Sequence, residues 1–317
     1  MTGERFLVTG ALGCIGAWSC AQLVHEGVPV VAYDLGTGTE RLELIMSREE
    51  LGRLTLINGD VTDFVHVENT LEEHRITHVI HLAAMLLPSV KADPPRGASV
   101  NVVGTTNVFE AARRQGVRGL AYASSAAVYA PDSGPRIEDA GEPTSLYGVF
   151  KLANEETARV FSADEDLGSV GLRPYVVYGP GRDHGLTADP TLAMAAAARG
   201  EGYVMQWGGR CQLQYAADAA RIFIAAARTE HRGADVFNLG GPPSHMRDVV
   251  AAIEAAVPDV SGLVQFEDVQ LPFPVELENG NLEDVVGPIH WTPLEEGTRL
   301  TIERFRTHYG SPRARDS

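Results

Sequence analysis

The chain reads as an α/β protein, a doubly wound parallel sheet with a smaller α/β lobe at its C-terminal side. Three observations carry that reading. Short, continuously apolar runs alternate with helical patterns over the first half, as in strands buried on both faces. A glycine-rich turn joins the first run to the first helix. After residue 180 the texture changes to short strands set among helices, Pro and Gly.

The elements follow in order. Phe6-Leu7-Val8 is a first strand. A helix over 16–26 has Ile15, Trp18, Ala21 and Val24 along one face and Gly27 as its stop. Strands are expected at 28–33, 54–57, 77–82 and 119–123, with a long helix over 96–115 between the last two. Another helix, capped by Thr144 or Ser145, runs to about residue 161. Further strands fall at 204–207, 236–239 and 263–266. The expected organisation is a nucleotide-binding domain over 1–180 with returns at about 216–241, an interleaved substrate lobe over 181–310, and a tail over 311–317.

Composition narrows the classes of function. With 317 residues, 44% hydrophobic and 21% charged, the chain has the makings of a sizeable core. Acids number 42 against 26 Lys and Arg, a formal charge of −16, which speaks against nucleic acid as a partner. Cys14, Cys20 and Cys211 have neither a metal-like spacing nor an even count, so no metal and no disulfide framework is expected. No apolar run approaches membrane-spanning length, and the chain enters its first strand without signal-peptide architecture, so a cytoplasmic protein without membrane contact is expected. The acid excess is concentrated between Asp248 and Thr298, where there is no Lys or Arg.

Gly10, Gly13 and Gly16 stand at G-x-x-G-x-x-G spacing between the first strand and first helix. Glycine permits the tight turn and the close approach of a pyrophosphate, and the helix N-terminus favours the anion. Asp34 ends the second strand, where a carboxylate accepts hydrogen bonds from ribose hydroxyls and repels a 2′-phosphate. No cation follows it before Arg41, so NAD is expected rather than NADP.

Tyr147 and Lys151 stand four residues apart near the start of a helix, on one face. A phenol beside an ammonium exchanges a proton with an alcohol more readily than a free tyrosine, while hydride moves to a nicotinamide. Ser124 and Ser125 end the fifth strand, where open α/β sheets place ligand contacts, and a hydroxyl there orients the substrate oxygen.

Together with Asp60-Val61, His81 to Ala84, Asn101 to Thr105, Ser124 to Tyr129 and Arg173 to Arg182, these segments resemble the extended short-chain dehydrogenases/reductases, the NAD-dependent epimerase/dehydratase family. The resemblance spans about residues 5–240. It implies a Rossmann domain and tightly held NAD, with Tyr147 as acid/base and Ser125 holding the substrate oxygen. Lys151 would bind the nicotinamide ribose and lower the tyrosine pKa. It assigns Cys14, Ile15 and the glycines to the phosphate turn, Asp60 and Val61 to adenine, and Leu82, Ala83 and Ala84 to the pyrophosphate and ribose path. Asn101, Pro174 and Val177 join the cofactor set, and a homodimer through the helices at 96–115 and 145–163 is implied.

Departures from the family shape the expected reaction. The chain has Ser125-Ala-Ala-Val-Tyr129 where sugar dehydratases resemble Thr-Asp-Glu-Val-Tyr, so the acid pair for eliminating water is missing. Where nucleotide-sugar members carry Arg-Asp-Phe, this chain has Cys211-Gln212-Leu213, with Arg210 displaced by one. Arg182 and Arg210 remain as anchors for a substrate anion, and Tyr215, with Trp207 and Cys211, is expected to line or underlie the substrate pocket. The expectation is an NAD-dependent oxidoreductase acting at a secondary alcohol carbon of a sugar, sugar acid or polyol-like molecule, without a diphosphate. The alternatives are a nucleotide-sugar 4-epimerase and a non-catalytic NAD-binding sensor.

Overall fold

The computed structural model describes residues 3–309, and the tail expected from residue 311 lies outside them. Seven strands form one parallel sheet: β1 (Phe6–Thr9), β2 (Val30–Asp34), β3 (Thr55–Asn58), β4 (His78–His81), β5 (Gly119–Ala123), β6 (Ser169–Pro174) and β10 (Ala234–Leu239). Their spatial order is β10-β6-β5-β4-β1-β2-β3. Side chains alternate between faces along each strand. Phe6, Val8, Val30, Ala32 and Ile80 enter one core, and Leu7, Val31, Tyr33, Val79 and Leu120 enter the other. Helices cover both faces of the central strands, which is why those strands are apolar on both sides, whereas the edge strand β3 is largely exposed.

The first helix, Cys14–His25, buries Ala17, Cys20, Leu23 and Val24, while Ile15, Trp18 and Ala21 are only partly covered. The expected stripe is thus rotated: the glycine turn aims the small side chains at the sheet. The helix expected over 96–115 is three segments, Pro94–Ala98, a wide π-turn over Ser99–Val103, and Gly104–Arg114. The π-turn contains Asn101, whose buried side chain turns away from the helix to grip the backbone of Met85.

After β6 the chain forms β7 (Val176–Tyr178), β8 (Tyr203–Met205) and β9 (Arg210–Tyr215), then returns through the helix Ala216–Arg228 to β10. β10 pairs with β6 residue for residue, from Ala234 against Ser169 to Leu239 against Pro174. With β11 (Pro243–His245) and β12 (Val264–Phe266), the lobe contains two small sheets, β11-β9-β7 and β12-β8. Strand order reverses between β1 and β4, and the crevice beyond their carboxyl ends is where doubly wound sheets hold ligands.

Candidate active site

A cleft of about 820 Å³ opens at that reversal. Its cofactor end begins at Gly10, where φ is +69° and a side chain's first carbon would stand 2.7 Å from the Ala83 nitrogen. Only glycine lets the chains leaving β1 and β4 pass so closely. Gly16 packs directly against the Gly10 carbonyl, seating the first helix on the turn. Gly13 caps that helix without a side-chain hydrogen bond, leaving first-turn N–H groups at the cleft wall. Backbone donors in a glycine cradle fit a dinucleotide pyrophosphate.

Asp34 faces the same space, its carboxylate accepting from the N–H groups of Leu12 and Gly36, both at 2.9 Å. Asp60 accepts from Arg96 (2.6 Å) and Thr62 N (2.9 Å). Burial pushes its carboxyl up, but these hydrogen bonds outweigh burial and hold it below the usual range. Gly10, Gly13, Cys14, Ile15, Gly16, Asp34, Asp60, Val61, Leu82, Ala83 and Ala84 all line the cleft. The Cys14 thiol lies 3.9 Å from the Pro180 carbonyl, and burial pushes it up to about 12, so it is a packed side chain rather than an activated one.

At the centre, Ser145 caps the helix Leu146–Glu165 through the N–H of Gly148 (3.1 Å). Gly148 is required for close approach, because a side chain there would meet the Ala127 carbonyl. That approach sets Tyr147 beside Ser125 in the cleft, where the Ser125 oxygen also accepts from the Ala127 N–H (3.1 Å). The enclosing walls push the Tyr147 phenol above its usual range, while the Ser125 hydrogen bond and the Arg182 charge pull it back. Lys151 is 4% exposed and donates to the Ala123 carbonyl (2.7 Å), its nitrogen 5.7 Å from the centre of the Tyr147 ring. Burial lowers its pKa to about 8, and Glu155 opposes that fall. Ser125, Tyr147, Lys151, Pro174, Val177 and Arg182 share the cleft. This constellation can hold an alcohol oxygen between a hydroxyl and a phenol and take its proton.

Three expectations are corrected. Asn101 does not line the cleft: both ends of its amide hold Met85, so it braces the wall from behind. Tyr215 is also outside, buried against Trp18 and Tyr178 with ring centres 6.0 and 5.6 Å away; Trp207 and Cys211 are buried too, which the expectation that they line or underlie the pocket allows. Ser124 reaches the cleft wall, but its hydroxyl is turned to Glu155 and is not free for substrate.

Several lining residues carried no sequence signal. Arg41 joins the two walls, donating to the Leu12 carbonyl (2.7 Å) and forming a two-point pair with Asp183 (2.9 and 2.7 Å). Its chain distance from Asp34 therefore understated its nearness, although its guanidinium is engaged by Asp183. At the substrate end stand Leu86, Leu87, Pro88, Tyr175, Leu186 and Phe273. From the cation-free stretch 248–298, Phe273 is the residue that reaches the cleft. Arg210 pairs with Glu276 (2.6 Å) on the surface, outside it.

The sequence profile of the NAD dependent epimerase/dehydratase family matches residues 6–240. Among curated relatives, a UDP-glucose 4-epimerase of Mycolicibacterium smegmatis is 33% identical over 95% of this chain and 98% of its own length. Among solved structures, the Thermus thermophilus UDP-glucose 4-epimerase complex with NAD is 27% identical, with a TM-score of 0.79 over 96% of this chain and 99% of that one. MoeE5 in complex with UDP-glucose and NAD is 28% identical, with a TM-score of 0.79 over 97% and 100%.

Proposed function

The chain belongs to the NAD-dependent epimerase/dehydratase family and is an NAD-dependent enzyme, and from that premise we propose that it is a nucleotide-sugar 4-epimerase. NAD, when bound, supplies the acceptor for a hydride from an alcohol carbon and the means of its return. Ser125 holds the substrate oxygen, and Tyr147 takes the hydroxyl proton and later restores it to the same oxygen. Lys151, fixed by the Ala123 carbonyl, keeps a positive charge under the Tyr147 ring. Asp34 is positioned for the adenosine ribose, and the glycine turn for the pyrophosphate.

The observation that carries the epimerase reading is the Arg41–Asp183 pair, which ties the glycine turn to the loop after β7. Such a tie would help retain a cofactor held by the glycine turn through the turnover, as an epimerase needs if the hydride is to return to the molecule that gave it. The full-length relative supports the same reading.

One observation favours a second reading, net oxidation of a sugar or sugar acid without a diphosphate. At the substrate end the available cation is Arg182, held by Thr187 (3.0 Å), whereas Arg41 and Arg96 are paired with Asp183 and Asp60. An enclosed diphosphate asks for more positive charge than that. Purified enzyme given UDP-glucose or UDP-galactose without added cofactor is expected to interconvert them with no net NADH. NADH formed in step with free sugar or sugar-acid oxidation, with no interconversion, establishes the second reading instead.

We also propose the division into a sheet domain over 1–180, with its return, and a substrate lobe over 181–310, and a cytoplasmic location. No helix among the described residues is long and apolar enough to cross a membrane. A homodimer through the helices at 96–115 and 145–163 is supported by the exposed Val103, Leu146, Val149 and Val160 on them. Light scattering tests it, a monomer being the overturning result.

A further inference from the structure

Tyr147, Lys151 and Glu155 recur every four residues and form one stripe on the helix Leu146–Glu165. The first two meet the cleft, but Glu155 lies one turn behind it, 6% exposed. Its carboxylate accepts from the Ser124 hydroxyl and takes a two-point bond from Arg173, at 2.8 and 2.7 Å. Arg173, 4% exposed at the end of β6, also donates to the Tyr129 hydroxyl (2.9 Å) and the Ile137 carbonyl (3.0 Å). One carboxylate thus ties the helix to the ends of β5 and β6, which carry Ser125 and Pro174 into the cleft.

We propose that Glu155 is a positioning residue of this active site: it fixes the β5 end through Ser124, so that Ser125 faces Tyr147, and it stands one helical turn behind the enclosed Lys151 as its counter-charge. This rests on the roles proposed above for Tyr147 and Lys151.

The charged and titratable groups around Lys151 leave that task to Glu155. From its own helix Tyr147 and Glu155 act beside it and from β4 His81 feels its charge, whereas Tyr122 of β5 and Arg173 of β6 face Glu155, and Arg182 from the loop after β7 acts on Tyr147. His81 is neutral across the working range, since burial, with the Lys151 charge, lowers its pKa to about 3. Tyr122 is raised well above the usual phenol range by burial. Glu155 is the neighbour whose charge raises the ionisation of Lys151.

The chain offers an unusually direct test, because its lysines are two, Lys91 and Lys151. With lysine labelled with carbon-13 at Cε, NMR gives one titration for Lys151 and one for the exposed Lys91 as internal reference. In Glu155→Gln the Lys151 midpoint is expected to fall by about one pH unit or more, and the alkaline limb of kcat to fall with it. Glu155→Asp keeps the charge but shortens the reach, so the midpoint stays while kcat drops. An unchanged midpoint in Glu155→Gln overturns the charge role, and unchanged kcat in Glu155→Asp overturns the positioning role. If Glu155→Gln does not fold, the Glu155→Gln/Arg173→Gln pair read against Arg173→Gln alone isolates the effect of the carboxylate, because both proteins lack the Arg173 charge. Tyr147→Phe runs beside them: full activity there removes the underlying reading, whereas an inactive Tyr147→Phe together with a Lys151 midpoint unmoved in Glu155→Gln removes this inference alone.

Discussion

At its cofactor end the cleft is lined by the backbone of one contiguous turn, Gly10 to Gly16, and by acids that end or follow β2 and β3; at its substrate end it is lined by side chains as far apart as Leu86, Tyr175, Leu186 and Phe273. The first surface presents N–H groups whose placement follows from φ and from the absence of side chains. The second presents apolar faces brought together by the whole fold. A diphosphate is the same in every dinucleotide and can be met by a short fixed motif, whereas a substrate pocket is assembled from whichever loops the lobe delivers. Recognition of the cofactor is therefore local in the chain, and recognition of the substrate is not.

Substitutions can break this contrast at graded cost. The largest effect is expected where the ends meet. Tyr147→Phe removes the phenol facing Ser125 and should lower kcat by about 10²–10⁴-fold with cofactor affinity unchanged. Loss of cofactor binding along with activity would show that the phenol belongs to the cofactor end instead. Gly10→Ala comes next. A methyl group at φ +69°, 2.7 Å from the Ala83 nitrogen, should cost roughly 2–4 kcal/mol of stability and weaken NAD binding together. Thermal unfolding and a cofactor titration measure both, and wild-type values in each would refute the close crossing.

Asp34→Ala removes the acceptor that steadies the N–H groups of Leu12 and Gly36. NAD dissociation should rise about 10- to 100-fold, with kcat at saturating NAD preserved. A change confined to substrate KM would contradict its placement. The smallest effect is expected from Phe273→Ala, which strips the aromatic packed edge-on against Tyr175 with ring centres 6.1 Å apart. Substrate KM should rise roughly 10-fold and NAD affinity stay constant. If NAD affinity fell instead, the two ends would not be separable.

The same contrast explains what was legible in the sequence. The glycine turn, Asp34, Ser125, Tyr147 and Lys151 announce themselves because spacing alone puts each at a strand end or on a helix face, and the structure gathers them in one cleft. The strands at 119–123 and 236–239 were visible as apolar runs. Asn101 was placed in the cofactor set, but whether an amide points into a cleft or grips Met85 behind it depends on a π-turn that no periodicity announces. Tyr215 stays outside the cleft for a similar reason: its strand is not among those the apolar runs predict, and the face it presents is set by Trp18 and Tyr178 from distant segments. Phe273 and Glu155 are silent, and Arg41 is visible only as the first cation after Asp34, because each acts through a partner the fold brings to it, Tyr175, Arg173 and Asp183 respectively.

The return of the chain to β10 bears on how the protein is made. β6 is the edge of the sheet until β10 arrives, and β10 follows it by about 65 residues, after three strands of the lobe. During synthesis β6 therefore leaves the ribosome with an unpaired edge, and the sheet closes only once residue 239 has emerged. The helix Ala216–Arg228, which packs on the first helix and on β5, arrives in the same late segment. A chain truncated near residue 180 carries an open edge and an uncovered sheet face, a template for aggregation rather than a smaller enzyme.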